Sequence, residues 1–382
     1  RRKKLKKILF IGGNPWSLIN FRGSLIHELQ TFGHQIYAIS NMPNRLEKKQ
    51  LKEMRINHQS LYLAVNKTSL VADLNYYLKL RKKITKIKPD LIIAYTMKPI
   101  VYTGLNLLLS SSKIEYFPLI TGLGQVFHSI RPREVLTKKI LIVLLKLSLL
   151  SASKILFQNR DNLKSFIKYK IIKNDKNNLI IEGSGVDVNK FQKSKRRNKK
   201  NDNCVFLLMA RLQIDKGVVE YIKAASLVKK KFLNTRFLIL GDEDNSNNAI
   251  SMKLINEYQN KGIIEYFGFV RDVKKYINIA DVYVLPSYHE GLPRSILEAM
   301  AMEKPILTTN VSGCKETVIN GKNGFKIPEK DVNSLYKKIV WFLNNKNKIS
   351  SMGKKSREIV LKRFSNKIIN KKMIELLGMK ND

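Results

Sequence analysis

Short apolar runs alternate with longer amphipathic segments along nearly the whole chain. The runs have the length and the Ile, Leu, Phe and Tyr content of buried strands, and apolar positions recur at helical spacing between them. In the first half the predicted strands cover 6–13, 35–40, 90–96 and 116–121. Such alternation predicts an α/β fold, in which helices cover both faces of a parallel sheet.

The same alternation begins again after residue 200. The segment 189–203 between the halves is polar, charged and without apolar periodicity, which is typical of a linker or a long surface loop. Two doubly wound, Rossmann-like domains are therefore expected, with the ligand site in the cleft beyond the carboxyl ends of their strands. The predicted strands of the second half cover 204–210, 237–241, 263–268, 281–287 and 305–310.

Length and charge narrow the classes of partner. The 382 residues are comfortable for two domains, and 44% hydrophobic with 26% charged residues is an ordinary globular composition. Lys and Arg number 71 against 30 Asp and Glu, a net charge of +41. This excess favours nucleic acid, an acidic membrane surface or a phosphate-bearing substrate as partner. Lys, Asn and Ile are abundant throughout, which is an alternative origin for part of the excess.

Cysteine usage and the amino-terminal run argue against other classes. Cys204 and Cys314 form no CxxC pair and have no neighbouring histidine pair. This argues against a disulfide scaffold or a zinc site and fits a reducing compartment. The apolar run Ile8–Ile11 follows a basic start but is too short for export or for spanning a bilayer, so a buried strand is favoured.

The apolar stretch 134–157 allows two interpretations. From 140 to 150 it is apolar except for Lys146 and Ser148, which is too short to span a bilayer. With lysines at both ends, a helix over 138–150 could lie in a membrane interface. Alternatively it is buried against the first sheet, and both hold if one edge of the helix is exposed.

Two glutamates stand in the segment SYHEGLPRSILEAMAM, residues 287–302. Glu290 lies in the loop at the carboxyl end of a predicted strand, and Glu298 lies in the helix that follows. Glu298 could accept hydrogen bonds from the vicinal hydroxyls of a sugar, and Glu290 reaches the same space. A pair of surface carboxylates is the alternative interpretation.

Positive groups accompany these carboxylates. Pro293 suits the first helical position, where its missing N–H costs nothing, and the first free N–H groups, around Arg294 and Ser295, form a site for a phosphate. Arg211 and Lys216 follow the first strand of the second half, and both could reach a diphosphate. With no metal motif nearby, two such cations can neutralise a diphosphate leaving group.

These residues resemble a known enzyme family. EGLPRSILE is similar to the paired-glutamate motif of the family 4 retaining glycosyltransferases, which have the GT-B fold of two Rossmann-like domains facing across a cleft. The surrounding segments follow the family's order over nearly the whole chain, and in particular they resemble the bacterial branch that elongates lipid-linked oligosaccharides for capsule, O-antigen or protein glycosylation. The segments are GGNPWSLINFRGSLIHEL, TGLGQVF, GSGVDVNKF, ARLQIDKGVVEYIKAA, FGFVRDV and SGCKETVINGKNGF.

The resemblance implies a division of the chain and of the chemistry. Residues 1–187 would form the acceptor-binding domain and 188–364 the donor-binding domain, with a C-terminal helix at about 365–382 packed back on the first. Arg211 and Lys216 would bind the donor diphosphate, and Glu290 would contact the transferred sugar at its anomeric carbon. These three are the implied catalytic residues.

Further donor contacts are implied at matched positions. The N–H groups of Arg294 and Ser295 would bind the distal phosphate, and Glu298 would hold the ribose hydroxyls. The backbone of Val270 would meet the base, and the glycines that end the first strand would let the chain approach the phosphates. The remaining implied donor-binding residues are Gly12, Gly13, Gly291 and Leu292.

Two departures from the family pattern concern the first domain and a turn in the second. Thr121 and Gly122 stand where many members carry a histidine near the transferred sugar, and His128 comes several residues later. The lipid-oligosaccharide branch often lacks that histidine, so Thr121 and Gly122 are assigned to the acceptor side. GDED, residues 241–244, is looser than the usual glycine-rich turn.

The expected activity is retaining, metal-independent transfer of a sugar from a nucleoside-diphosphate sugar, with uridine diphosphate favoured, to a lipid-linked saccharide. No cofactor is expected beyond this co-substrate. The first domain is expected to attach the cytoplasmic protein to the anionic inner face of the membrane, since each nearby basic residue contributes about 1 kcal/mol. The basic residues concerned are Lys3, Lys4, Lys6, Lys7, Lys138 and Lys139.

Three alternatives stay open. A nucleotide-sugar epimerase of the same architecture would need acid and base histidines in the cleft, and the chain has five histidines without a matching cluster. A nucleic-acid-binding protein would explain the charge, but no basic stripe with interleaved aromatics and no helix-turn-helix or zinc-finger spacing occurs, so no specific nucleic acid is expected. The third alternative is a catalytically inactive scaffold at the membrane, which would not need the pair Glu290 and Glu298 or the pair Arg211 and Lys216.

Overall fold

The structure is a computed structural model, and it describes residues 5–64, 69–123, 127, 132–194, 203–244, 246 and 248–379. Of the residues discussed above, Lys3, Lys4 and His128 lie outside these ranges, as do the parts 124–126, 195–202 and 380–382 of the segments named. The chain divides into two compact units. One contains the residues up to Ser184 together with those from Ile369 onward, and the other is Gly185–Ile368.

The described residues of the first unit form a seven-stranded parallel sheet in the order β3-β2-β1-β4-β5-β6-β7. β1 is an interior strand, with Ile8 paired to Ile36 on one side and to Leu91 on the other. A strand buried on both faces is a continuous apolar run, which is why the pattern predicts it well. The strands are β1 (Lys7–Ile11), β2 (Gln35–Ser40), β3 (Asn57–Ser60), β4 (Leu91–Tyr95), β5 (Glu115–Ile120), β6 (Ile155–Phe157) and β7 (Asn178–Ile180).

Helices cover both faces of this sheet. One apolar cluster contains side chains of α3, α4, α5 and α6, and another contains those of α1, α2 and α13. In the second cluster Ile369 and Met373 of the C-terminal helix pack with Ile8 and Phe10. The helices are α1 (Pro15–Thr31), α2 (Arg45–Glu53), α3 (Leu70–Ile87), α4 (Met97–Leu108), α5 (Pro132–Leu149), α6 (Arg160–Lys168) and α13 (Asn366–Leu376).

The described residues of the second unit form a six-stranded parallel sheet in the order β10-β9-β8-β11-β12-β13. Its strands are β8 (Val205–Met209), β9 (Arg236–Leu240), β10 (Glu265–Tyr266), β11 (Val282–Leu285), β12 (Ile306–Thr309) and β13 (Gly324–Ile327). Its helices are α7 (Val218–Lys229), α8 (Met252–Asn260), α9 (Lys274–Ile279), α10 (Arg294–Ala301), α11 (Val332–Asn344) and α12 (Lys346–Arg363). The α/β prediction of two parallel-sheet, Rossmann-like domains is therefore confirmed.

The stretch 134–157 is not one segment. α5 ends at Leu149, where the N–H of Ala152 donates to the carbonyl of Leu149 and closes a turn, and β6 follows. α5 packs on the unit through Leu145 and Leu149, which are buried.

The opposite face of α5 is exposed and apolar, so the helix is buried along one edge and exposed along the other, and its contact with a membrane stays a prediction. Five side chains, which we call the α5 stripe, lie on this face and are between 42% and 70% exposed. They recur at spacings of three and four residues, which puts them on one side of the helix. Of the described helices, none is both long and apolar enough to cross a membrane. The α5 stripe consists of Leu136, Ile140, Val143, Leu147 and Leu150.

Candidate functional site

The second unit places two loops side by side at one edge of its sheet. β8 and β11 are parallel neighbours, with Phe206 opposite Val282. The loop after β8 contains Arg211 and Lys216, and the loop after β11 contains Glu290. Because carboxyl ends of parallel strands meet at the same edge, the predicted cations and the first predicted carboxylate come together.

Lys216 and Glu290 form an ion pair. The Nζ of Lys216 lies 2.8 Å from Oε1 of Glu290, and the two side chains are only 16% and 18% exposed. Ser287, which is buried, donates to the same oxygen at 3.1 Å. Burial by itself lowers the pKa of Lys216, but the charge and hydrogen bond of Glu290 outweigh it and raise the pKa. The ammonium therefore stays charged at neutral pH.

Two glycines allow these loops to approach. Gly217 has a φ of +71°, and a Cβ there would collide with the carbonyl oxygen of Pro286. Gly313 has a φ of +80°, and a Cβ there would stand 2.6 Å from the carbonyl oxygens of Glu290 and Gly291. Only glycine fits such positions, since they combine left-handed backbone with close contact.

Glu298 forms a second, local pair in α10. Its Oε1 accepts from Nε of Arg294 at 3.1 Å, and both side chains are largely buried. Burial raises the pKa of Glu298 above its usual value, although the charges of Arg294 and Lys190 oppose this. The carboxylate is therefore costly in the free protein, as expected of a group that awaits a partner.

The helix begins one residue later than predicted. Pro293 was expected at the first helical position, and this is wrong, because its ψ of 112° is extended and makes it the N-cap. Its carbonyl accepts from the N–H groups of Ile296 and Leu297 at 3.1 and 3.4 Å and so opens the first turn. Arg294 and Ser295 remain the first helical residues after it, as the predicted phosphate site requires.

Tyr283, which sequence reasoning missed, connects the two carboxylates. Its ring is fully buried in β11, its hydroxyl donates to the carbonyl of Met209 at 3.2 Å, and it also hydrogen-bonds Ser295. Burial raises the pKa of this phenol, and the charges of Glu298 and Glu290 raise it further. The charges of both glutamates therefore reach this one buried hydroxyl.

Arg211 has a different partner. Its side chain is 60% exposed, and its Nη1 donates to Oδ2 of Asp244 at 3.0 Å. The positive charge of Arg211 acts to lower the pKa of Lys216, so the two cations are close in space. The sequence contains no local signal for the Asp244 contact, because 33 positions separate the two residues.

Other neighbours of Lys216 were missed as well. The imidazole Nε2 of His289 lies 3.6 Å from Oδ2 of Asp215. Burial lowers the pKa of His289, and so does the charge of Lys216, against the opposing charges of Glu290 and Asp215. Asp215 adjoins Lys216 in the chain, so its proximity could have been expected from the motif itself.

The remaining residues predicted to bind the donor in this unit lie near α10 and the loop that contains Glu290. Leu292 is buried in the cluster that also contains Ile296 and Leu297, and Val270 packs against the same cluster. The carbonyl of Gly291 faces Gly313. The contacts predicted for these residues with a base or a phosphate stay predictions.

The first-unit residues lie at the ends of β1 and β5. Gly12 and Gly13 are buried, and the N–H of Gly12 donates to the carbonyl of Ile39 at 3.0 Å. A Cβ at Gly12 would collide with the ring of Tyr95. Thr121 and Gly122 follow β5 and are partly exposed. Their assignments to donor and acceptor stay predictions.

No cluster of three or more His, Cys, Asp or Glu side chains suited to a metal occurs within the described ranges. Cys204 and Cys314 are not joined in a disulfide, and both are buried. Burial raises the pKa of Cys314, with Glu290 adding to the effect. We assign neither thiol a role in the site.

Comparison with known families matches both halves of the chain. Residues 189–359 match the family model described as glycosyl transferases group 1, and residues 7–159 match the one described as glycosyl transferase 4-like. Each matched range falls within one of the two units, and the range 189–359 contains Arg211, Lys216, Glu290 and Glu298.

Bacterial glycosyltransferases are among the proteins similar to this chain. The capsular polysaccharide biosynthesis glycosyltransferase CapM of Staphylococcus aureus is 29% identical over 216 residues, 53% of this chain and 57% of CapM. The N,N'-diacetylbacillosaminyl-diphospho-undecaprenol alpha-1,3-N-acetylgalactosaminyltransferase of Campylobacter jejuni is 29% identical over 276 residues, 69% of this chain and 71% of that protein. The chain thus matches little more than half the length of CapM.

Among solved structures, Anabaena HepE in complex with UDP and glucose superposes with a TM-score of 0.77 at 18% identity, covering 98% of this chain and all of HepE. At this identity the likeness is one of fold, and it confirms the GT-B prediction.

Proposed function

We propose that this chain, which matches the group 1 glycosyl transferase model in its second half and the glycosyl transferase 4-like model in its first, transfers a sugar from a nucleoside-diphosphate sugar to a lipid-linked saccharide. The observation that carries this proposal is the pairing of Lys216 with Glu290 beside the amino end of α10. A cation, a carboxylate and the amino end of a helix within one loop cluster suit a ligand that has both phosphates and sugar hydroxyls.

Each side chain has a task in the proposed donor complex. An ammonium has three N–H donors, so Lys216 can keep its bond to Glu290 and still donate to the diphosphate. The N–H groups of Arg294 and Ser295 bind the distal phosphate, and Glu298 accepts from the ribose hydroxyls. Glu290 accepts from the transferred sugar and lies close enough to Lys216 to fix that sugar relative to its leaving group.

The proposed reaction retains configuration. The bond between the anomeric carbon and the β-phosphate oxygen breaks, and a bond from the acceptor oxygen forms on the same face of the sugar. The proton of the acceptor hydroxyl passes to the departing phosphate oxygen. Lys216 and Arg211 offset the negative charge that develops there, which is the work a metal ion does in other transferases. We therefore expect the reaction to proceed without a metal.

The acceptor is proposed as a saccharide on a polyprenyl diphosphate. The name of the Campylobacter jejuni relative includes diphospho-undecaprenol, and CapM is named for capsular polysaccharide biosynthesis. Such an acceptor stays in the membrane, so the protein must work at its surface.

The α5 stripe supports peripheral attachment to the cytoplasmic face. Lys139 and Lys146 are exposed beside the α5 stripe, so basic groups flank the apolar ones as in an interfacial helix. Two of the other lysines proposed for this contact are engaged inside the unit. Lys6 pairs with Glu115 at 2.5 Å, and Lys138 donates to the carbonyl of Phe127 at 3.0 Å.

The test is a panel of UDP-, GDP- and dTDP-sugars with purified protein, with and without a polyprenyl-diphosphate sugar. We expect acceptor-dependent release of one nucleoside diphosphate, transfer that persists in EDTA, and an α-linked product from an α-linked donor by NMR. Inverted product or loss in EDTA would contradict the mechanism. An epimerised free sugar would indicate an epimerase, and no reaction with any donor would overturn the proposal.

A further inference from the structure

The turn after β9 carries a largely covered carboxylate that touches the loop after β8. Asp244, the last residue of GDED, is 9% exposed, and its Oδ2 accepts from Arg211 at 3.0 Å and from Nε2 of Gln213 at 2.9 Å. Its Oδ1 accepts from the backbone N–H of Ser246 at 2.7 Å. Three donors from two loops therefore fix this carboxylate independently of any ligand.

Asp244 is ionised in this setting. Burial by itself raises its pKa, but hydrogen bonds from Ser246 and Gln213 and the charge of Arg211 outweigh this and lower it. The side chain of Arg211 is 60% exposed and that of Asp244 only 9%. The carboxylate is therefore the fixed partner in this ion pair, and it holds the guanidinium in place. An ionised carboxylate is the strongest partner for an arginine.

We propose that Asp244 is a positioning residue that holds the Arg211 guanidinium ready for the donor diphosphate. A guanidinium has five N–H donors, and Asp244 occupies the Nη1 end of the fork, which leaves the others for phosphate oxygens. A long side chain that is already ordered loses less conformational entropy when the ligand binds. This inference rests on the proposed function and adds to it a residue that the glycine-rich turn of the family would not supply.

The same geometry has an opposite reading that an experiment can separate. Asp244 could compete with the diphosphate for Arg211 and so weaken donor binding. The fixed position of the carboxylate favours the positioning role over competition. Gln213 and Ser246 already donate hydrogen bonds to Asp244, so the carboxylate attracts Arg211 less strongly than an unbonded one would.

The test is a double-mutant cycle of Asp244→Asn and Arg211→Ala, with UDP and uridine binding measured by calorimetry. Asparagine keeps an oxygen for the N–H of Ser246, so the turn should persist. We expect Asp244→Asn to weaken UDP binding about tenfold, to leave uridine binding unchanged, and to add nothing in the Arg211→Ala background.

A matched control is Glu265→Gln. Glu265 pairs with Arg236 at 2.6 Å in the same unit, at the amino ends of the strands, and its loss should leave UDP binding unchanged.

The inference is overturned by any of three results. Asp244→Asn could tighten UDP binding, weaken UDP and uridine equally, or have the same effect with and without Arg211. Wild-type protein that binds no nucleoside diphosphate would instead overturn the proposed function, and this inference with it.

Discussion

The ammonium of Lys216 lies 2.8 Å from Oε1 of Glu290, across 74 positions of sequence, in a site where both side chains are largely buried. The two residues therefore act as one unit. Each side chain also stabilises the charge of the other, so removing either one should lower the stability of the protein as well as its activity.

Lys216→Ala should abolish most activity and destabilise the protein only moderately. Loss of a positive group at the leaving phosphate is expected to lower kcat about 100-fold or more, whereas an unpaired Glu290 at this partial burial costs about 1–2 kcal/mol. Donor turnover and thermal melts measure the two effects separately.

The double variant Lys216→Ala/Glu290→Gln separates pairing from catalysis. Since it removes both charges, we expect part of the melting temperature to return while activity stays lost. Recovery of turnover in the double variant would show that Lys216 serves only to neutralise Glu290.

Glu298→Gln should stabilise the free protein at neutral pH. Burial raises the pKa of Glu298, and a carboxyl whose folded-state pKa lies above its unfolded value loses stability as the pH rises through those values. Above the folded-state pKa the full free-energy cost of burying the charged carboxylate applies, whereas glutamine has no charge and does not incur this cost. We expect a higher Tm than wild type at pH 7.5, with the difference disappearing below about pH 4.

The same variant should bind UDP more weakly, by about tenfold or more, because a neutral amide accepts a weaker hydrogen bond from the ribose. Glu265→Gln, which removes a half-buried carboxylate paired with Arg236 in the same unit, should leave UDP binding unchanged. A Glu298→Gln protein that melts lower at pH 7.5 would show that the pair with Arg294 outweighs the burial of the carboxylate.

The sequence predicted the strands that are buried on both faces of the sheet. It did not predict a strand that forms only because it pairs with a neighbouring strand. β1 and β8 are apolar throughout because both faces are covered, so their runs stand out. β3 consists of the polar residues Asn57–Ser60 and exists because Tyr37 and its neighbours in β2 pair with it. An edge strand of this kind has no apolar signature of its own.

The site shows the same limit. Arg211, Lys216, Glu290 and Glu298 could be found because each stands in a motif with a recognisable position. Their pairings could not be found, since the contacts of Glu290 with Lys216 and of Arg211 with Asp244 depend on which strands are neighbours. Strand order follows from the packing of the whole sheet rather than from any local segment.

Gly313→Ala should impair activity more than stability. The residue has a φ of +80°, and a Cβ would press on the carbonyls of Glu290 and Gly291, 2.6 Å away. Left-handed backbone costs alanine about 1 kcal/mol, and relief of the contact must displace the loop that holds Glu290. We expect kcat to fall about tenfold or more, measured as donor turnover per folded molecule.

Gly321→Ala is the matched control for this variant. Its φ is +74°, but a Cβ there would meet nothing within 4 Å. It should therefore lower Tm with unchanged turnover. Equal turnover in both variants would show that the Glu290 loop tolerates the displacement.

The α5 stripe should determine membrane affinity. Ile140→Asn with Val143→Asn places two amides on an exposed face, so the fold should be unaffected while apolar contact with lipid is lost. Burying one such side chain is worth about 1.5–3 kcal/mol, and partial insertion of two should change partitioning at least about tenfold. Flotation with vesicles that contain anionic lipid measures this partitioning, and thermal melts check that the variant is folded.

Two controls make the flotation result specific to this face of α5. Leu233→Asn changes an apolar residue that is exposed on the second unit and should leave flotation unchanged. Lys139→Gln with Lys146→Gln should weaken binding to anionic vesicles and not to neutral ones, because the basic residues contribute only through charge. If the asparagine variant floats as well as wild type, the stripe does not contact lipid, and membrane attachment must rest on other basic residues.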